Sequence, residues 1–87
     1  MDAPQKLEFP CDYPIKIMVR SQEGVREAVA LAVERHAGPV PEERFRERTS
    51  AQANFAGLTY VIQATGAAQI EALFLELKQI PGVLLVL

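Results

Sequence analysis

Residues 13–20 alternate between apolar and polar side chains. A period of two is typical of a strand with one buried face, and this segment is rich in β-branched residues. We therefore predict a first strand over residues 13–20. One of its faces would carry Tyr13, Ile15, Ile17 and Val19, and the other would carry Lys16, Met18 and Arg20.

The next segment changes to helical spacing. Apolar residues recur at steps of three and four from Val25 to His36, which predicts an amphipathic helix. Ser21 is a candidate N-cap because its hydroxyl can accept a hydrogen bond from a free amide of the first turn. Gly38 and Pro39 would end the helix.

A hairpin is predicted in the middle of the chain. Residues 42–49 alternate charge and bulk, which suits an edge strand because charge discourages pairing with another chain. Residues 50–54 would form the loop, and residues 55–64 have the pattern of a second half-buried strand. A glycine inside that strand, Gly57, indicates a bulge or a close approach of another backbone.

The last third of the chain predicts a second helix and a final strand. Thr65 is a candidate cap, apolar residues are again spaced by three and four, and Pro81 with Gly82 would end the helix. Residues 83–87 are all apolar and suit a strand.

The resulting order is strand, helix, strand, strand, helix, strand. Right-handed crossovers make this order fold as a ferredoxin-like βαββαβ plait of the α+β class. Its four-stranded antiparallel sheet would have both helices on one face. We expect one domain over residues 13–87, preceded by an N-terminal arm, residues 1–12.

Two helices on one face leave the other face of the sheet uncovered. The strand alternation predicts which candidate interaction residues stand on this open face: Lys16, Met18, Arg20, Arg44, Arg46, Arg48, Phe55, Thr59 and Val61. Because the final strand is apolar at every position, it also contributes apolar side chains to this face, either Leu84 with Val86 or Val83 with Leu85. Such a surface suits a second copy of the chain or another protein. Alternatively, the arm covers part of it through Leu7 and Phe9.

The arginine row favours an alternative function. Arg44, Arg46 and Arg48 with Phe55 nearby could bind RNA or single-stranded nucleic acid on the open sheet. Against this, the first strand offers Met18 where an RNA-recognition module would place an aromatic ring, and Glu42, Glu43 and Glu47 lie close by. We therefore regard nucleic acid as the less favoured partner.

Composition narrows the class of protein. The chain has 87 residues, of which 49% are hydrophobic and 23% charged, with a net charge of −2. These values fit a folded domain and exclude disorder as the main state. No apolar run reaches the length of a membrane span, and the N-terminus lacks the apolar segment of a secretion signal. A single cysteine, Cys11, fits a reducing compartment. We expect a cytoplasmic protein without a membrane partner.

Candidate chemistry is sparse in this sequence. His36 would lie at the end of the first helix, and no His and Cys cluster accompanies it as metal ligands. A thiolate pair of Cys11 with His36 would lack a third, orienting group. Ser21 and Ser50 would be a helix cap and a loop residue. We expect no catalytic residue, no metal site, no cofactor and no enzymatic activity.

The order and length of these segments resemble the YbeD-like family of small bacterial proteins of uncharacterised function. The resemblance is carried by residues 7–10, 13–18, 33–37 and 70–77 together with the apolar C-terminal strand. It implies the ferredoxin-like plait and a likeness to ACT regulatory domains. By that likeness we expect a regulatory or protein-interaction module, a homodimer that could sense a small-molecule effector near the loop Arg20–Gly24.

Overall fold

The computed structural model describes residues 8–50 and 52–87, and its elements follow the predicted order. Leu7, a residue of the arm, lies outside the described residues. The elements are β1 (Cys11–Arg20), α1 (Val25–Ala37), a 3₁₀ turn (Glu42–Arg44), β2 (Phe45–Thr49), β3 (Phe55–Ala64), α2 (Ala67–Gln79) and β4 (Val83–Val86). The strands form one antiparallel sheet in the order β2-β3-β1-β4. This arrangement confirms the predicted plait.

The core lies between one face of the sheet and both helices. Every second residue of β3 from Ala56 and of β1 from Ile15 is buried there, as the alternation predicts, and Tyr13 is partly buried. The helices contribute Val29, Val33, Leu73 and Leu77 to the same cluster. Burying each aliphatic side chain of this size contributes about 1.5–3 kcal/mol, so the strand and helix patterns together specify the fold.

The predicted helix starts are wrong in both cases. Helix α1 begins after Gly24, whose φ of 88° is left-handed, and the Ser21 hydroxyl instead lies 3.5 Å from the Arg26 guanidinium. Helix α2 has Gly66 at its N-cap. The Thr65 side chain does not cap it. The Thr65 backbone amide instead donates a hydrogen bond to Gln69 Oε1 at 2.8 Å.

Two strand boundaries also differ from the prediction. Strand β1 begins at Cys11, so residues 11–12 of the predicted arm belong to the sheet. The segment predicted as an edge strand over 42–49 starts with a 3₁₀ turn, closed by a hydrogen bond from the Arg44 amide to the Pro41 carbonyl. Strand β2 is therefore shorter by three residues than the predicted strand, and Arg44 is not part of it.

The sheet contains an irregularity, but not at Gly57. Strand β3 pairs in continuous register with both neighbours, so the expected bulge there is wrong. The register instead shifts between β1 and β4, where Met18 pairs with Leu85 and Val19 pairs with Val83. Leu84 is the extra residue of β4. None of the helices within the described ranges has the length and apolarity needed to cross a membrane.

Candidate interaction face

The open face is the side of the sheet that points away from α1 and α2. Its side chains form two rows across the four strands. The first row runs through Arg48, Gly57, Met18 and Leu85, and the second runs through Arg46, Thr59, Lys16 and Leu87. Each row begins with an arginine on β2 and ends with a leucine at the β4 side. The face is therefore cationic on one margin and apolar on the other.

A shallow cavity of about 470 Å³ opens on this face. Gly57 forms part of its floor, between Arg48 and Met18 on the neighbouring strands. The space above Gly57 is open because glycine has no side chain. The apolar walls are Met18, Phe55, Leu85 and Leu87, and the polar groups around them belong to Lys16, Arg48, Thr49, Ser50 and Thr59. This combination of an apolar wall and a few polar groups is typical of small-molecule sites.

The open face carries an excess of cationic side chains, although the chain has a net charge of −2. Lys16, Arg20, Arg46 and Arg48 stand on it, and in residues 8–50 and 52–87 none of them forms an ion pair with a carboxylate. The Arg20 guanidinium lies 6.0 Å from the centre of the Phe55 ring, within the range of a cation–π contact. The charge distribution therefore suits an anionic partner.

The predicted arginine row is reduced to two residues. Arg46 and Arg48 point to the open face from β2. Arg44 lies in the 3₁₀ turn, and its Nη1 donates a hydrogen bond to Asp12 Oδ1 at 2.9 Å. Val61 is on the open face, but it lies close to Arg44 and away from the cavity. The row of three cations expected from the alternation is thus not assembled.

The structure brings together several residues that sequence reasoning did not assign. The leucines Leu85 and Leu87 and the floor residue Gly57 complete the cavity. The five apolar residues at 83–87 gave no means to choose which side chains face outward. The bulge decides this, because Val83 and Val86 both turn toward the core while Leu84, Leu85 and Leu87 are exposed. Both predicted outward pairs, Leu84 with Val86 and Val83 with Leu85, are therefore wrong.

A cluster of titratable groups on the helix side has a structural role. His36 Nε2 lies 2.7 Å from Glu76 Oε1, and Arg35 also pairs with Glu76, so one carboxylate joins α1 to α2. Arg35 and then His36 hold the pKa of Glu76 below its ordinary value. Burial raises the pKa of Tyr60. In the described ranges, no three His, Cys, Asp or Glu side chains are grouped as metal ligands would be.

Comparison with known proteins identifies the family. The family model described as "Protein of unknown function (DUF493)" matches residues 4–87. The chain belongs to this family. A UPF0250 protein of Nitrosomonas europaea is 36% identical over 81 residues, which are 93% of each chain. A UPF0250 protein of Hahella chejuensis is 36% identical over 82 residues, covering 94% of this chain and 90% of the relative. These matches confirm the resemblance to the YbeD-like proteins.

Solved structures support the same fold for this DUF493 member. The solution structure of a protein from H. pylori has a TM-score of 0.73 with 15% identity, covering 97% of this chain and 88% of that one. An ACT domain from the GTP pyrophosphokinase of Chlorobium tepidum has a TM-score of 0.63 with 16% identity, covering 88% and 97%. The likeness to ACT domains is therefore a likeness of fold.

Proposed function

We propose that this DUF493 protein is a non-enzymatic regulatory or interaction module that associates with a second copy of itself at the β4 margin of the open face. The observation that carries the proposal is the exposure of Leu84, Leu85 and Leu87, which are 45%, 51% and 63% exposed. Large apolar side chains grouped at one margin are typical of a surface covered by a partner. A domain of this size also gains much from added burial.

The two edges of the sheet support this choice of margin. Strand β2 carries Arg46, Glu47 and Arg48, all exposed, and charges of this kind oppose pairing with another chain. Strand β4 has no charged residue. A two-fold contact would bring the same leucines of both copies together, which is the common geometry of homodimers.

The surroundings of the nucleophilic side chains support a non-enzymatic role. The Ser50 hydroxyl accepts a hydrogen bond from the Phe55 amide at 3.2 Å, and His36 is held by Glu76. Cys11 is partly buried at the start of β1. Among the described residues, no hydrogen bond joins Ser50, Cys11 and His36 to one another as a nucleophile and its base.

Sedimentation velocity at micromolar concentration tests the proposal. We expect the wild-type protein to sediment as a dimer and Leu84→Glu to shift it toward the monomer. Leu75→Glu is the matched control, because Leu75 is 62% exposed on α2, away from the sheet. A wild-type protein that sediments only at monomer mass would contradict the proposal, and so would equal behaviour of the two variants.

The four cations of the open face favour a second candidate function, binding of RNA or single-stranded DNA. Its signature is an affinity that falls steeply with salt and is reduced by Arg46→Ala. A titration at low salt that gives no saturable binding of a single-stranded oligonucleotide would remove this candidate.

A further inference from the structure

We infer that the open-face cavity binds a small organic anion with a compact apolar body, such as an aromatic or alkyl carboxylate. All residues that form the cavity come from one copy of the chain. The site is therefore complete without a second copy, although it shares Leu85 and Leu87 with the margin proposed for self-association.

The size and lining of the cavity indicate a small molecule. Its volume of about 470 Å³ lies within the range of roughly 300–1,000 Å³ that ligand pockets occupy. Met18 and Phe55 are 42% and 38% exposed, so their apolar surface is available to a ligand. A ligand body packed against these side chains and the leucines of the β4 side would remove apolar surface from water.

The charges around the cavity select an anion. Lys16 and Arg48 both border it, one on β1 and the other on β2, with β3 between them. No Asp or Glu is among the residues that line it. Two cationic groups can donate charge-assisted hydrogen bonds to one carboxylate, and the hydroxyl of Thr59 lies on the same side.

The feature that points most directly to a ligand is the glycine at position 57, inside β3 and at the floor of the cavity. A glycine inside a strand is unfavourable, because it loses more conformational freedom on folding and has no side chain to pack. Its extended position within β3 does not require glycine. A Cβ placed there would also fit, because the nearest atom, Met18 Cε, would be 4.0 Å away. The absence of a side chain therefore has one evident consequence, which is that the cavity floor stays open.

Titration of the ¹⁵N-labelled protein with 2-naphthoate, followed by amide chemical shifts, tests this inference. The neutral probe 2-naphthamide has the same shape without the charge. We expect saturable shifts at Met18, Gly57 and Leu85 with naphthoate. We expect the neutral probe to bind about ten-fold more weakly, because it loses the charge-assisted hydrogen bonds.

Three variants separate the contributions. Gly57→Leu fills the cavity and should abolish the shifts. The double variant Lys16→Met with Arg48→Met keeps the cavity open and should lower the naphthoate affinity to that of naphthamide. Arg46→Met is the control for Arg48→Met alone, because it removes one arginine from the same strand at a position outside the cavity.

Several outcomes would overturn the inference. They are the absence of saturable shifts at the cavity, equal affinity for the two probes, or an Arg46→Met effect as large as that of the double variant. A single-stranded oligonucleotide that binds where naphthoate does not would assign the face to nucleic acid. Naphthoate should bind at least as well to Leu84→Glu, since Leu84 does not line the cavity and loss of the dimer would leave Leu85 and Leu87 uncovered. Failure of self-association is thereby distinguished from failure of ligand binding.

Discussion

Replacing Gly82 by alanine should destabilise this protein through two separate effects. Gly82 lies in the turn between α2 and β4 with a φ of 95°. An alanine in the left-handed region costs about 1–2 kcal/mol. The new Cβ would also lie 2.7 Å from Val25 Cγ2, far inside van der Waals contact.

The contact with Val25 is costly because that side chain cannot move away easily. Val25 is 5% exposed at the start of α1, and β-branched side chains are stiff at χ1. Overpacking of this kind costs about 1–3 kcal/mol. We therefore expect Gly82→Ala to lower the free energy of unfolding by about 2–5 kcal/mol in total.

Urea denaturation followed by circular dichroism measures this loss. Gly24→Ala is the control for the backbone effect, because Gly24 has a φ of 88° and a Cβ there would have no neighbour within 4 Å. Gly24→Ala should lower the free energy of unfolding by only about 1–2 kcal/mol. In a Val25→Ala background, Gly82→Ala should lower the free energy of unfolding by the same small amount, since the valine methyl groups that the new Cβ would meet are gone. Equal losses for the two glycine variants, or an unchanged loss in the Val25→Ala background, would refute the reasoning.

Further changes have clear expected outcomes. Leu73→Ala should lower the free energy of unfolding, measured by urea denaturation, by about 2–5 kcal/mol, because Leu73 is fully buried. Leu75→Ala should lower it far less, because Leu75 lies on the exposed side of the same helix. Gly57→Ala should raise the free energy of unfolding by about 0.5–1 kcal/mol; a loss would show that its Cβ does not fit. Glu76→Gln should lower the Tm above pH 4.5, the ordinary pKa of this carboxyl, because Arg35 and His36 hold the pKa of Glu76 below that value in the folded state. The difference in Tm from wild type should shrink as the pH falls through this lowered pKa. A difference that grows in acid would contradict the pairing with Arg35 and His36.

The core could be predicted because it depends on local periodicity. In a strand, successive side chains point to opposite faces, so Ile15 and Ile17 share one face whatever the rest of the chain does. The helical spacing places Leu73 and Leu77 on one stripe for the same reason. These positions are all buried.

The helix starts could not be predicted from the side-chain chemistry of single residues. Ser21 and Thr65 have the chemistry of caps, but Gly24 and Gly66 occupy those positions. Gln69 Oε1 accepts a hydrogen bond from the Thr65 amide. Gln69 Nε2 donates a second hydrogen bond to the His36 carbonyl at 2.9 Å. The second bond joins residues far apart in the chain, so no local pattern reveals it.

The sequence by itself determined the order of the elements, the buried face of each central strand and most of the candidate interaction residues, because side-chain direction follows the local period of the backbone. Only the tertiary structure decided how β4 sits against β1, which leucines it exposes and that Gly57 lies between Arg48 and Met18. Those features depend on the register between strands distant in the chain, and an apolar run such as residues 83–87 fits more than one register equally well.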